Sequence, residues 1–324
     1  MKPERIAKRL AQRLGAKQPD HGKVVREGES RQAIEPHIRI PFEESGCAVL
    51  VSTTSIEVPF PSPDEALAAI CGEPRLLYGI GPRHATDLQS QGFGSLNSLC
   101  EHPRWGPEAA GLLTAWGTPP DPRSVYTTLS TWLPSSHRLF LDLLALLPRD
   151  RLLFFDLETL GLSHAPIFLL ATARLSSFEL QIRQTLISSL SAETVLLESL
   201  LSELDSVDAL LSYNGKSFDW NLIRERCAFY GLRVPAAPIH VDLLHAVRRA
   251  YPGLADHRLG TIEDRVLGNG RTDDLPSALI PEIYSEFLET GRAELLVPIL
   301  EHNRRDVESL AHLLATLLQT PIHD

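Results

Sequence analysis

The sequence predicts an α/β protein, a modest sheet flanked by helices, with a smaller and mainly helical region N-terminal to it. Three observations point there. The apolar run over residues 151–155 leads straight into Asp156-Leu157-Glu158 and reads as a buried strand ending in two acids. Residues 166–187 (PIFLLATARLSSFELQIRQTLI) hold two β-rich runs parted by Ser176-Ser177, a hairpin that extends the sheet begun at Leu152. Helical periodicity then follows over Ser191 to Leu204, with Ser191 as candidate N-cap, and again from Glu301 to about Leu318. Abundant leucine with only 6% aromatic residues suits many helices packed on a small sheet.

At 324 residues the chain exceeds one typical domain, and a hydrophobic fraction of 43% supports globular packing. The apolar stretch from Leu139 to Leu147 is interrupted by Asp142 and falls well short of the roughly 20 residues a membrane span needs. The N-terminus carries charges throughout and lacks the apolar core of a secretory signal, so the expectation is a cytoplasmic protein with no membrane partner. Cys47, Cys71, Cys100 and Cys227 are scattered with no C-x-x-C pair, which argues against a zinc knuckle or a disulfide scaffold. The net charge of −10 is unevenly spread. Residues 1–40 carry 10 Lys and Arg against 5 Asp and Glu, so the other 284 residues hold a net −15. A polyanion-binding protein ordinarily shows a basic surface. Acidity is, however, what a site for hard cations requires.

Four segments are expected. In the first, residues 1–70, Ile6, Leu10 and Leu14 recur at helical spacing among Lys and Arg, a basic amphipathic helix that either touches DNA or docks on the protein. Residues 37–60 then read as a few short strands whose role is not legible. In the second, residues 71–116, a G-x-G-P turn (Gly79, Gly81, Pro82) lies between helical stretches, and Ile80, Ala85, Leu88 and Gly92 follow at set places. This resembles the helix-hairpin-helix DNA-binding motif. The resemblance implies that Gly79 and Gly81 let backbone N–H groups approach a phosphate at a helix N-terminus; a plain helical hairpin uses the same turn. A Pro-, Ser- and Thr-rich linker is expected over 117–136, and the main α/β domain over 137–324.

Residues i and i+2 of a strand share a face, so Asp156 and Glu158 project side by side, costly without a cation and natural with one. A strand over Asp208 to Ser212 leads into YNGKSFD, where Asn214-Gly215 turns the chain and Asp219 stands in the first turn of the next helix. His302 and Asp306 are four apart and therefore on one helical face. Each feature alone has an ordinary structural explanation.

Together the four acids, 63 and 87 residues apart from Asp156 to Asp219 to Asp306, resemble the DEDD exonuclease superfamily. YNGKSFDWNLI, HVDLLHAVRRAY, RTDDLPSALIPEIY and HNRRDVESLAHLL resemble its YprB-type, ribonuclease-H-like branch over about Arg151 to Leu318. The resemblance implies a ribonuclease-H-like mixed sheet and a 3′→5′ exonuclease using two divalent cations, Mg²⁺ or Mn²⁺, on nucleic acid, with DNA favoured over RNA by the hairpin motif. It implies Asp156 bridging both ions, Glu158 and Asp306 on the first, Asp219 holding the second through water, and His302 as general base. Asn214 and Lys216 are candidate substrate contacts. One departure stands out. Relatives pair His with an x4 gap or Tyr with an x3 gap before the last Asp, whereas His302 sits at the x3 gap, leaving the subclass open. A structure-specific endonuclease on the same site and a non-catalytic nucleic-acid adaptor are the alternatives.

Overall fold

The computed structural model describes residues 40–161, 164–235, 238–271 and 275–321. The basic helix expected around Ile6 to Leu14 lies outside them. Six strands form one mixed sheet: β1 (Cys47–Ser55), β2 (Leu152–Thr159), β3 (Ile167–Leu175), β4 (Glu179–Ile187), β5 (Ala209–Ser212) and β6 (Ile239–Asp242), in the order β1-β4-β3-β2-β5-β6. Strands β1, β4, β3 and β2 run antiparallel to their neighbours, and β5 and β6 join in parallel. The β3–β4 hairpin turns at Ser176-Ser177, as the alternation there predicts. A ribonuclease-H-like α/β architecture is therefore what this chain adopts over its C-terminal part.

Residue alternation along β2 divides the core. Leu152 and Phe154 face one apolar cluster, Leu153 and Phe155 the other. The long C-terminal helix (Val297–Gln319) lies across β2 and contributes to both, through Val307, Leu310 and Leu314 on the first side and Ile299 and Leu300 on the second. Asp156 and Glu158 extend the row of Leu152 and Phe154 by two more steps, so they project toward that helix.

Three local readings change. The segment expected as a linker carries the helix Pro122–Trp132, capped by Asp121, whose carboxylate accepts the Ser124 N–H at 3.0 Å. Its Val125 and Leu129 are fully buried among the same residues that cover the sheet. Polar composition concealed it because only one narrow face is apolar. The same core takes in Ile70, Leu88 and Trp116 of the N-terminal helices Pro63–Cys71, Pro82–Ser90 and Gly106–Trp116, so these pack on the sheet's face with no linker between. The strands expected near 37–60 resolve into β1, which pairs with β4 from Cys47↔Ile187 to Ser55↔Glu179 and is an edge of the same sheet. Nothing local in a strand encodes a partner 130 residues away. Ser191 is not an N-cap either: a 3₁₀ turn over Leu190–Ala192 precedes the helix Glu193–Leu204, and the Ser191 hydroxyl pairs with that of Ser189 at 2.9 Å.

The elements bearing on the site are labelled α1 (Pro63–Cys71), α2 (Pro82–Ser90), α3 (Gly106–Trp116), α4 (Pro122–Trp132), α5 (Glu193–Leu204), α6 (Asp219–Phe229), α7 (Leu243–Ala250), α8 (Ile280–Thr290) and α9 (Val297–Gln319). Among the described residues no helix is long and apolar enough to cross a membrane.

Candidate metal centre

Asp156 stands on the central strand β2, opposite Ala171 of β3, where the sheet's covering helix α9 passes over it. The Asn303 amide of α9, fully buried, donates to Asp156 Oδ2 at 2.9 Å. The other end of that amide accepts from Gln184 Nε2 at 3.0 Å, and Gln184 also donates to the Leu300 carbonyl at 2.8 Å. A strand of the sheet thus fixes the rotamer of the residue that orients the first carboxylate. One turn along α9, Asp306 lies with its Oδ2 3.5 Å from His302 Nε2. Glu158, His302 and Asp306 each offer a ligand atom, and these atoms fall within 4.8 Å of one another.

Asp219 reaches the same place from α6. Its approach depends on the turn Tyr213-Asn214-Gly215-Lys216, which the buried Asp242 holds from the end of β6: its carboxylate accepts Asn214 N–H at 2.8 Å, Lys216 N–H at 3.2 Å and Leu244 N–H at 3.1 Å. Asn214 adopts φ +62°, a left-handed conformation that Asn tolerates better than most residues. Gly215 is tightly enclosed. A β-carbon there would meet the Ser212 β-carbon at 2.6 Å and Asp219 Oδ2 at 2.8 Å.

The electrostatics follow from this crowding. Burial, then the charges of Asp306, Glu158 and Asp219, push the Asp156 carboxyl well above the usual carboxylate range, against the pull of the Asn303 hydrogen bond. Burial and Asp242 raise Asp219 to about 7. A cluster of acids that resists ionisation by itself is one that a hard divalent cation completes, because the cation favours the charged forms and takes oxygen ligands. The donor set fits such an ion. Arg271 supplies part of the compensating charge, its guanidinium hydrogen-bonding both Asp306 and Glu263, while Glu263 accepts the Ser309 hydroxyl at 2.5 Å.

Beside this centre opens a cleft of about 780 Å³, bordered by Tyr213, Asn214, Arg271, Ser277, His302 and Asp306 among others. Of the sequence-derived candidates, Asp156, Glu158, His302 and Asp306 meet at the junction of β2 and α9, and Asp219 is electrostatically coupled to Asp156. Asn214 borders the cleft. Lys216 turns away onto α4, its ammonium 3.1 Å from the Tyr126 hydroxyl. Gly79 (φ +83°) and Gly81 sit exposed before α2, whose N-terminus has no side-chain cap. Asn303, Gln184, Asp242 and Arg271 have no role in the sequence reading, and Gly215 figures there only as part of the turn. Asp242 carried a local signal, an acid directly before the helical run of α7; Asn303 and Gln184 carried none, since their partners are set by how α9 crosses the sheet.

A mixed sheet with acids on its central strand, met by others from flanking helices, defines a nuclease-type fold. The model of the RNase H superfamily matches residues 153–318, and the chain belongs to that superfamily. Over 171 residues it is 39% identical to the Bacillus subtilis (strain 168) protein described as uncharacterized protein YprB; the match covers 51% of this chain and 41% of that relative. Among solved structures it is similar to the family B DNA polymerase of the hyperthermophilic archaeon Pyrobaculum calidifontis, with a TM-score of 0.42 and 18% identity, over 53% of this chain and 25% of the polymerase.

Proposed function

We propose that this protein is a metal-dependent nuclease that hydrolyses phosphodiester bonds, acting as a 3′→5′ exonuclease on DNA with two divalent cations, Mg²⁺ or Mn²⁺. The observation that carries the reading is the convergence on one half-buried spot of Asp156 and Glu158 from β2, Asp219 from α6 and Asp306 from α9. Asp156, Glu158, Asp306 and Asp219 would hold the ions through their carboxylates. Bound there, such ions polarise phosphoryl oxygens and make water nucleophilic near neutral pH. The chain's own groups do the rest. Asn303 keeps the Asp156 carboxylate aimed out of the sheet. His302, next to Asp306, would take the proton of the attacking water, a task that imidazoles perform as general bases. Its ring is also close enough to Glu158 and Asp306 to serve as a ligand instead. Replacing His302 by alanine separates the roles: a base lost leaves Mn²⁺ affinity intact while the rate falls, whereas a ligand lost weakens both.

Asn214, on the cleft, is the proposed substrate contact of the β5–α6 turn; Lys216 would join it on the α4 side. The exposed glycine turn before α2 supports a sequence-independent phosphate contact and the preference for DNA. The test is a panel of end-labelled single- and double-stranded DNA and RNA, linear and circular, with Mn²⁺, Mg²⁺ or chelator. Mononucleotide release from free 3′ ends, abolished by chelator and by Asp156→Ala or Asp306→Ala, is expected. No metal-dependent cleavage of any substrate, or full activity in those variants, overturns the nuclease reading; cutting of circles turns it into an endonuclease.

A further inference from the structure

The cleft beside Asp306 has a basic side that the four acids do not explain. Arg248 comes from the last turn of α7, and Arg258 stands before the single helical turn Leu259–Ile262; both are exposed and both border the cleft. Among the described residues neither guanidinium makes an ion pair or a side-chain hydrogen bond. The acid nearest in sequence to Arg258, Asp256, accepts the Thr261 hydroxyl at 2.6 Å and the Arg258 backbone N–H at 3.0 Å, and feels the Arg258 charge without an ion pair to its guanidinium. Several arginines outside the cleft are matched: Arg138 with Asp142, Arg151 with Asp208, Arg174 with Glu203, Arg226 with Glu193. Arg271, deeper in the cleft, is taken up by Asp306 and Glu263. What sets these two apart is their place: both open guanidiniums stand on the wall of the cleft that Asp306 and His302 also line, where they can take an anion from outside.

The geometry supports a firm cradle. The ring of Tyr213 forms the wall between β5 and Arg258, and its hydroxyl donates to the His257 carbonyl at 2.7 Å, while the His257 ring is tied to the Tyr251 carbonyl at 3.0 Å. The loop carrying Arg258 is thereby pinned to the strand end that also carries Asn214. A carboxylate cluster repels a polyanionic strand. Cations placed along its approach offset that repulsion, and planar guanidiniums match phosphate oxygens two at a time.

We propose that Arg248 and Arg258 form a clamp on the sugar–phosphate backbone of the polynucleotide strand whose end enters the metal centre. This rests on the nuclease reading and adds to it the residues that hold substrate. The clamp contacts phosphates and not bases, so it serves any sequence, and it acts on binding rather than on the chemical step.

The experiment uses the full chain. Binding of a fluorescent single-stranded 15-mer is measured by anisotropy in Ca²⁺ over a salt series, and initial rates are measured in Mn²⁺, for wild type, Arg248→Ala, Arg258→Ala, the double variant, the double Arg→Lys variant, and Arg233→Ala as an exposed control outside the cleft. Each cleft alanine is expected to weaken binding about 10-fold and to reduce the slope of log K against log salt by about 0.7, the value of one lost phosphate contact on a single strand. KM rises while kcat at saturation stays within twofold, lysine retains the salt slope, and Arg233→Ala matches wild type. A free mononucleotide should compete at least 100-fold less well than the 15-mer. A double variant that binds with wild-type affinity and slope overturns the clamp and leaves the nuclease reading standing; so does a mononucleotide that competes as well as the strand. A wild type that neither binds nor cleaves any polynucleotide removes the nuclease reading, and the clamp with it.

Discussion

Replacing Gly215 by alanine probes how Asp219 is admitted to the candidate metal centre. The backbone there needs no glycine φ; what it needs is room. The added β-carbon would lie 2.6 Å from the Ser212 β-carbon, 2.8 Å from Ser212 Oγ and 2.8 Å from Asp219 Oδ2, where ordinary contacts begin at 3.4 Å. Ser212 cannot give way readily, being fully buried at the end of β5 with its hydroxyl 2.8 Å from His240 Nε2. Burial pushes His240 down to about 3, so that pairing is with a neutral ring and persists across the working pH range. The Asp219 carboxylate, on the first turn of a helix, must therefore move by about 0.6 Å or more, and displacements approaching 1 Å in such centres cost on the order of 10²-fold in rate. Overpacking adds about 1–3 kcal/mol of destabilisation. The expected result is a fall of roughly 10- to 100-fold in kcat/KM for a labelled oligonucleotide in Mn²⁺, with weaker Mn²⁺ binding by calorimetry and a cooperative melt at modestly lower temperature. Gly111→Ala is the control, since its added β-carbon meets nothing within 4 Å and alanine favours the helix α3. A folded Gly215→Ala protein with a rate within twofold of wild type and unchanged Mn²⁺ affinity would refute the reasoning.

Three further outcomes follow from the same geometry. Asn303→Ala leaves Asp156 and Gln184 without their shared partner, and should cost about 2 kcal/mol in denaturant unfolding and weaken Mn²⁺ binding, while unchanged values on both would show that Asn303 does not hold the carboxylate. In the metal-free protein Asp219 has a folded pKa raised to about 7 against an ordinary value near 4, so the folded state holds the extra proton between those limits. Stability of the metal-free form should then fall as pH rises from about 4 through 7, and the melting shift produced by Mn²⁺ should be larger at pH 8 than at pH 5.5; the opposite order in scanning calorimetry would reject this assignment. Away from the site, fully buried Glu193 binds Arg226 through two contacts of 2.5 and 2.8 Å and accepts the Ile167 N–H at 2.8 Å and the Tyr230 hydroxyl at 2.9 Å. Glu193→Ala strands the arginine between α5, α6 and β3 and is expected to destabilise by about 3–5 kcal/mol, with a loss under 1 kcal/mol sinking the claim.

Much of the α/β part was legible because its signals are local. The run from Leu152 to Phe155, the alternation of β3 and β4 around Ser176-Ser177, and the helical period of α9 each arise from neighbours along the chain. The facing of Asp156 and Glu158 follows from strand geometry alone, and the family motifs placed Asp219 and Asp306 in the same company. The N-terminal third was read less well for the opposite reason. The helix α4 buries Val125 and Leu129 in the core amid Thr and Ser, so composition favoured a linker, and β1 takes its meaning from a partner beyond α1 to α4 and two intervening strands.

The sequence by itself determined which residue types the centre contains and which elements carry them, since strand and helix periods set the direction of every acid relative to its own backbone. Only the tertiary structure decided what those acids meet: the crossing of α9 over β2 brings Asn303 to Asp156, Asp242 at the end of a neighbouring strand holds the turn that presents Asp219, and the fold of α7 against the segment after it leaves Arg248 and Arg258 open on the same cleft. Such pairings join residues tens to hundreds of positions apart, and they arise from the packing of whole elements, which no local pattern of side chains records.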